Sequence, residues 1–90
     1  MTDSHKLLRF KREAEILRKL LLQESPNSRS ASEALDQLDS VFIDVREMEQ
    51  YRTTGRLRLD HLFIESDLGN NKELMESYSR FANLAEGIEL

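Results

Sequence analysis

Residues 4–24 read SHKLLRFKREAEILRKLLLQE, and this stretch decides the fold class. Leu7, Phe10, Ala14, Leu17 and Leu21 recur at spacings of 3, 4, 3 and 4. That is the period of a helical seam and is incompatible with the two-residue alternation of a strand. Ser4 suits an N-cap, and Asp3 before it suits the positive end of a helix. Leu8, Ile16, Leu20 and Leu22 lie beside or across from the seam, so the second half of the helix is apolar on more than one face. A helix of this kind is either central to its own domain or shared with a partner.

The next stretch repeats the pattern. Glu24-Ser25-Pro26-Asn27-Ser28-Arg29-Ser30 is a loop, because Pro26 forbids a continuous helix through Ser25. A second helix is expected over 30–53, with Ser30 and Glu33 as a capping box and Gly55 just past its end. Its seam is Ala34, Leu38, Val41, Val45 and Met48, flanked by Leu35, Phe42 and Tyr51. A last helix is expected over 71–86, capped by Asn70 with Glu73 and stopped by Gly87. Leu74, Met75, Tyr78, Phe81, Ala82 and Ala85 form its apolar face. Residues 56–68 suit either a short helix or a strand. A lone strand has nothing to pair with, so a helix over 57–67 is expected.

The expectation is therefore an all-α single domain over 1–90: a small three- to four-helix bundle built on an antiparallel helical hairpin. Composition agrees. The chain has 90 residues, 3 Gly and 1 Pro, too few turn residues for an all-β domain. At this length roughly 60–65% of the unfolded surface is buried, so the core is modest. There is no Cys, which excludes disulfides, thiolate nucleophiles and iron–sulfur clusters. The 13 basic and 17 acidic residues give a net charge of −4, a poor balance for a general nucleic-acid binder. Charge is also segregated. Residues 1–29 hold 7 basic and 4 acidic side chains, and residues 30–90 hold 6 basic and 13 acidic. Lys11, Arg12, Arg18 and Lys19 flank the first seam, and Glu33, Gln37, Ser40, Asp44 and Glu47 mark a polar face of the second. Two such helices side by side are expected to complement each other in charge.

The start Met1-Thr2-Asp3-Ser4-His5-Lys6 lacks the basic and apolar regions of a secretory leader, and the longest apolar run is Leu20-Leu21-Leu22. The expected compartment is the cytoplasm, with no membrane partner.

Several constellations could carry chemistry. His61 and Glu65 stand four apart with Asp60 adjacent, but no second His lies near, so no metal site is expected. Asp36, Asp39 and Asp44 could do acid–base work only in a pocket that separates their pKa values, and a solvated acidic face is expected instead. Phe42-Ile43-Asp44-Val45-Arg46-Glu47, with Tyr51 and Gly55, resembles the strand-to-helix turn of rhodanese-like domains. That resemblance implies an α/β sulfurtransferase fragment, without the Cys such enzymes use. Ser32-Glu33-Ala34-Leu35-Asp36-Gln37-Leu38 is similar to the Ser-Gln-Glu-Leu-Asp signature of helical-hairpin phosphatases acting on response-regulator aspartyl phosphate. Ser32, Leu35 and Asp36 match, whereas Glu33 and Ala34 replace the polar pair. That similarity implies Asp36 as a residue of phosphate removal. Arg52, Arg56 and Arg58 make a basic cluster that a DNA-binding regulator could use on phosphates, but Asp60, Glu65 and Asp67 follow it closely.

Taken together, the leading expectation is a non-catalytic protein–protein interaction module: an adaptor, regulator or subunit of a larger assembly. Its partner-binding residues are Ile16, Leu20 and Leu22. Its partner is another protein or a second copy, as a homodimer. No enzyme activity, catalytic residue, cofactor or metal is expected. DNA binding through Arg52, Arg56 and Arg58 and aspartyl-phosphate hydrolysis through Asp36 are the alternatives.

Overall fold

A computed structural model describes residues 2–55, 57, 59, 63 and 67–87. It is all-α. Helix α1 spans Thr2–Glu24, α2 spans Arg29–Glu47, and α3 spans Lys72–Glu86, preceded by a short 3-10 turn at Asp67–Asn70. Helices α1 and α2 form the expected antiparallel hairpin. Helix α3 then packs on α1 and runs antiparallel to it, as the contacts of Asn71 with Glu24 and of Arg80 with Glu13 require.

The α1 seam behaves as its spacing dictates. Phe10, Ala14, Leu17 and Leu21 are buried, against Ala31, Ala34, Leu38, Phe42 and Val45 of α2 and Leu74, Tyr78, Phe81 and Ala85 of α3. The centre is aromatic. Phe81 lies 5.3 Å from Phe10 and 5.4 Å from Phe42 by ring centroid, and so ties all three helices at one point. Tilted ring pairs at these distances add roughly 0.5–1.5 kcal/mol each beyond their buried area.

Helix boundaries differ from expectation for identifiable reasons. Helix α1 begins at Thr2, so Ser4 lies inside its first turn and is not the N-cap. Helix α2 is capped by Ser28, not Ser30: the Ser28 Oγ accepts from the Ala31 N–H at 3.2 Å. The turn Ser25–Ser28 is closed by its own backbone hydrogen bonds, and α2 therefore starts at the first serine able to cap it.

Helix α2 stops at Glu47 rather than at residue 53. Met48 is extended and buried, and the following residues give their donors to another element. The Tyr51 hydroxyl donates to the Leu84 carbonyl at 2.6 Å, and the N–H groups of Thr54 and Gly55 both donate to the Ala85 carbonyl at 3.0 Å. These are carbonyls in the last turn of α3, which lack helical partners of their own. Gly55 is thus not a helix stop, although its φ of +93° does need glycine.

Helix α3 is capped by Asn71 rather than Asn70. Asn71 Oδ1 accepts from the Leu74 N–H at 3.1 Å, and its Nδ2 donates to Glu24 at 3.0 Å, joining the end of α1 to the start of α3. Gly87 ends the helix at φ +80°, as expected. A Cβ there would lie 2.7 Å from the Thr53 side chain.

Of the segment 56–68, Leu57 and Leu59 belong to no helix or strand, and Phe63 is helical. The remainder of the expected helix over 57–67, up to Ser66, lies outside the described residues. What the segment contributes is core: Leu59, Phe63 and Leu68 are buried, and the Phe63 ring stacks on Tyr78 at 4.0 Å.

Two polar groups are notable for opposite reasons. Glu13 is 8% exposed and receives the Arg80 Nε–H at 2.7 Å. Arg80 is itself partly solvated, so the pair is worth about 1 kcal/mol rather than the larger value of a fully buried one. Ser77 is fully buried and its hydroxyl has no partner among the described residues. An unsatisfied buried hydroxyl destabilises, and Ala is a better helix former than Ser. Ser77→Ala is expected to raise the unfolding free energy by roughly 0.5–1 kcal/mol in a urea titration. By the same measurement Phe81→Ala is expected to lower it by about 3–5 kcal/mol, since the ring is fully enclosed.

Candidate functional site

With α3 and the connecting segment packed on the hairpin, one flank of α1 and α2 is left open. A groove of about 530 Å³ runs along it. Helix α1 supplies Lys11, Arg12, Ala14, Glu15, Ile16, Arg18 and Lys19, and α2 supplies Phe42, Val45 and Arg46. Five of these ten residues are cationic and one is acidic. The floor is apolar because Ala14, Phe42 and Val45 are also core residues, seen here at its edge.

The side chains of Lys11, Arg12, Arg18, Lys19 and Arg46 make no ion pair or hydrogen bond among the described residues. This corrects the expectation that the opposite charges of α1 and α2 meet within the hairpin. The antiparallel pair buries its apolar seams face to face, and the basic flank of α1 and the acidic residues of α2 stay at the surface with no ion pair between them among the described residues. An ion pair joins α1 to α3, through Glu13 and Arg80.

The residues singled out in the sequence fall in different places. Ile16 is half-buried and lines the groove. Leu20 is half-buried and packs against the core. Leu22 is 45% exposed. Two further large apolar residues are exposed, Leu8 at 64% and Ile43 at 42%. A signal for them exists. Leu8 and Leu22 stand fourteen residues apart, four turns on the same side of α1, and Ile43 sits within the polar face of α2. Phe42, Val45 and Arg46 were legible as helix residues but not as groove lining, because that depends on where α3 leaves α2 uncovered.

Other candidates do not assemble. Asp36, Asp39 and Asp44 are exposed along α2, and Ser32 is exposed near its start. Residues 42–47 continue α2, so the strand-to-helix turn implied by the rhodanese resemblance is absent there. Arg52 is exposed, and its companions Arg56 and Arg58 lie outside the described residues, as do Asp60, His61 and Glu65. No helix among the described residues is long and apolar enough to cross a membrane. Comparison with protein-family models, with curated proteins and with solved structures finds no match to this chain.

The different settings of Leu20 and Leu22 give a direct check. Leu20→Gln is expected to destabilise the fold by about 2 kcal/mol, by removing apolar contact and leaving an amide against the core. Leu22→Gln is expected to change stability by no more than ~0.5 kcal/mol. Chemical denaturation of the two variants, followed by circular dichroism, measures both.

Proposed function

We propose that the chain is a non-catalytic protein–protein interaction module of the cytoplasm, acting as an adaptor, regulator or subunit of a larger assembly, and that the α1–α2 groove is its partner surface. The observation that carries this reading is the combination of an apolar floor with five cations that have no partners within the described residues. Phosphate alone requires cations and makes no use of Phe42, Val45 and Ile16 beneath them. A helix with carboxylates along its edges and a branched aliphatic side chain at its centre uses both. The aliphatic group would enter between the helices, and the carboxylates would meet Lys11, Arg18, Lys19 and Arg46. Such charge complementarity acts mainly on association rate and orientation, while the apolar contact slows dissociation. Leu22, and Leu8 at the other end of α1, extend the apolar surface beyond the groove.

A designed amphipathic peptide tests the groove. It carries Ile at 3–4 spacing between Glu and Asp, and it is titrated against the protein with fluorescence anisotropy as readout. Saturable binding in the micromolar range is expected, weakened at least about tenfold by Lys11→Glu with Arg18→Glu and weakened by added salt. Equal binding by the double variant, or none at all at low salt, overturns the reading. A labelled duplex DNA serves as the competing probe. Tighter binding to it than to the peptide, with a steep salt slope lost in the same double variant, would assign the surface to nucleic acid.

A further inference from the structure

The exposed apolar residues of this chain are not scattered. Leu8, Leu22 and Ile43 are the large apolar side chains that stand exposed among the described residues, and all three belong to the hairpin. On α1 they end a stripe, Leu8-Lys11-Glu15-Arg18-Leu22, with spacings of 3, 4, 3 and 4. On α2 Ile43 lies inside a second stripe, Asp36-Asp39-Ile43-Glu47, with spacings of 3, 4 and 4. Each spacing keeps its residues on one side of a helix. The α1 stripe lines the groove through Lys11, Glu15 and Arg18, and the α2 stripe runs beside it, since Ile43 stands three residues before Arg46, which lines the groove. The α1 stripe is net basic with apolar ends and Glu15 at its centre, and the α2 stripe is acidic around Ile43, with Arg46 beside it at the groove. The second therefore has the chemistry that the groove requires, and it is carried by the same chain.

We infer that the occupant of the groove is the α2 face of a second copy, in a closed two-fold dimer. This rests on the groove being a protein-binding surface. A two-fold axis can lay this flank on its own copy in two ways. An axis across the helices puts α1 on α1 and α2 on α2, so that four α1 cations face four, and Asp36, Asp39 and Glu47 face their equivalents. An axis parallel to the helices lays α1 of each copy antiparallel along α2 of the other, so that basic meets acidic twice. Like charges held together oppose the first arrangement, and the second is self-complementary and closes without leaving a free end. Ile43 of each copy then sits at the other's groove, and Leu8 and Leu22 lie along its α2. The hairpin's failure to neutralise its own charges is thus met by association.

Sedimentation equilibrium on the full chain tests this, with two charge-reversal variants. One carries Lys11→Glu and Arg18→Glu, the other Asp39→Lys and Glu47→Lys. Wild type is expected to be dimeric, and each variant alone monomeric, with dissociation constants raised about 100-fold or more. An equimolar mixture of the two variants is expected to restore dimers. In the mixed pair one contact is of wild-type polarity and the other is reversed on both sides, so both attract. Helical circular dichroism of each variant confirms folding. A wild type that stays monomeric yet binds the acidic peptide refutes the second copy and leaves the groove reading intact. A monomer that binds no peptide refutes both. A dimer that neither variant disrupts, or that the mixture fails to restore, overturns this arrangement.

Discussion

Helix α1 has to bury two adjacent faces, and a hairpin covers only one. That constraint organises the molecule. Phe10, Leu17 and Leu21 are fully enclosed, which requires α2 on one side and α3 on the other. Phe81 is where the requirement is met most economically, with one ring touching both Phe10 of α1 and Phe42 of α2. A core of this size tolerates little vacancy, because a domain of 90 residues is stabilised by only about 5–15 kcal/mol in total.

Holding α3 against α1 also fixes the connecting chain. At one end Asn71 caps α3 and donates to Glu24, so a single side chain both starts the helix and aligns it with α1. At the other, Tyr51, Thr54 and Gly55 satisfy the carbonyls of Leu84 and Ala85. Tyr51 also stands edge-on to Phe10 at 5.8 Å, with the Lys6 ammonium 5.4 Å from its ring centre. The chain after Glu47 thus serves as the C-terminal cap of α3, and α2 is shorter than its sequence alone would make it.

The same packing leaves the groove. Once the apolar seams of α1 and α2 face each other and α3 covers one flank, the other flank keeps the basic side of α1 and the acidic side of α2 exposed. The hairpin is therefore a dipole across its own surface, positive along α1 and negative along α2. Under the function proposed above, that asymmetry would select a partner by orientation, with its carboxylates toward α1 and its apolar side chain toward the floor. Ile16 lies where such a partner would meet it, whereas Leu20 is held by the core.

The sequence by itself determined the helices and the seam that each one buries. Spacings of 3 and 4 at Leu7 to Leu21, at Ala34 to Val45 and at Leu74 to Ala85 admit no other regular structure, and Pro26 and Gly87 set two of the breaks. Net charge and the absence of Cys likewise follow from composition. Tertiary structure alone decided where α2 ends, which asparagine and which serine act as caps, and which leucine of α1 faces solvent. Each of those depends on a partner distant in sequence. The donors of Tyr51, Thr54 and Gly55 are drawn to α3, thirty or more positions away, and the outward charge of the hairpin follows from which faces the apolar seams consume. Local periodicity records which side of a helix is apolar. It carries no record of which polar side a neighbour leaves uncovered, and the candidate surface of this protein lies on such a side.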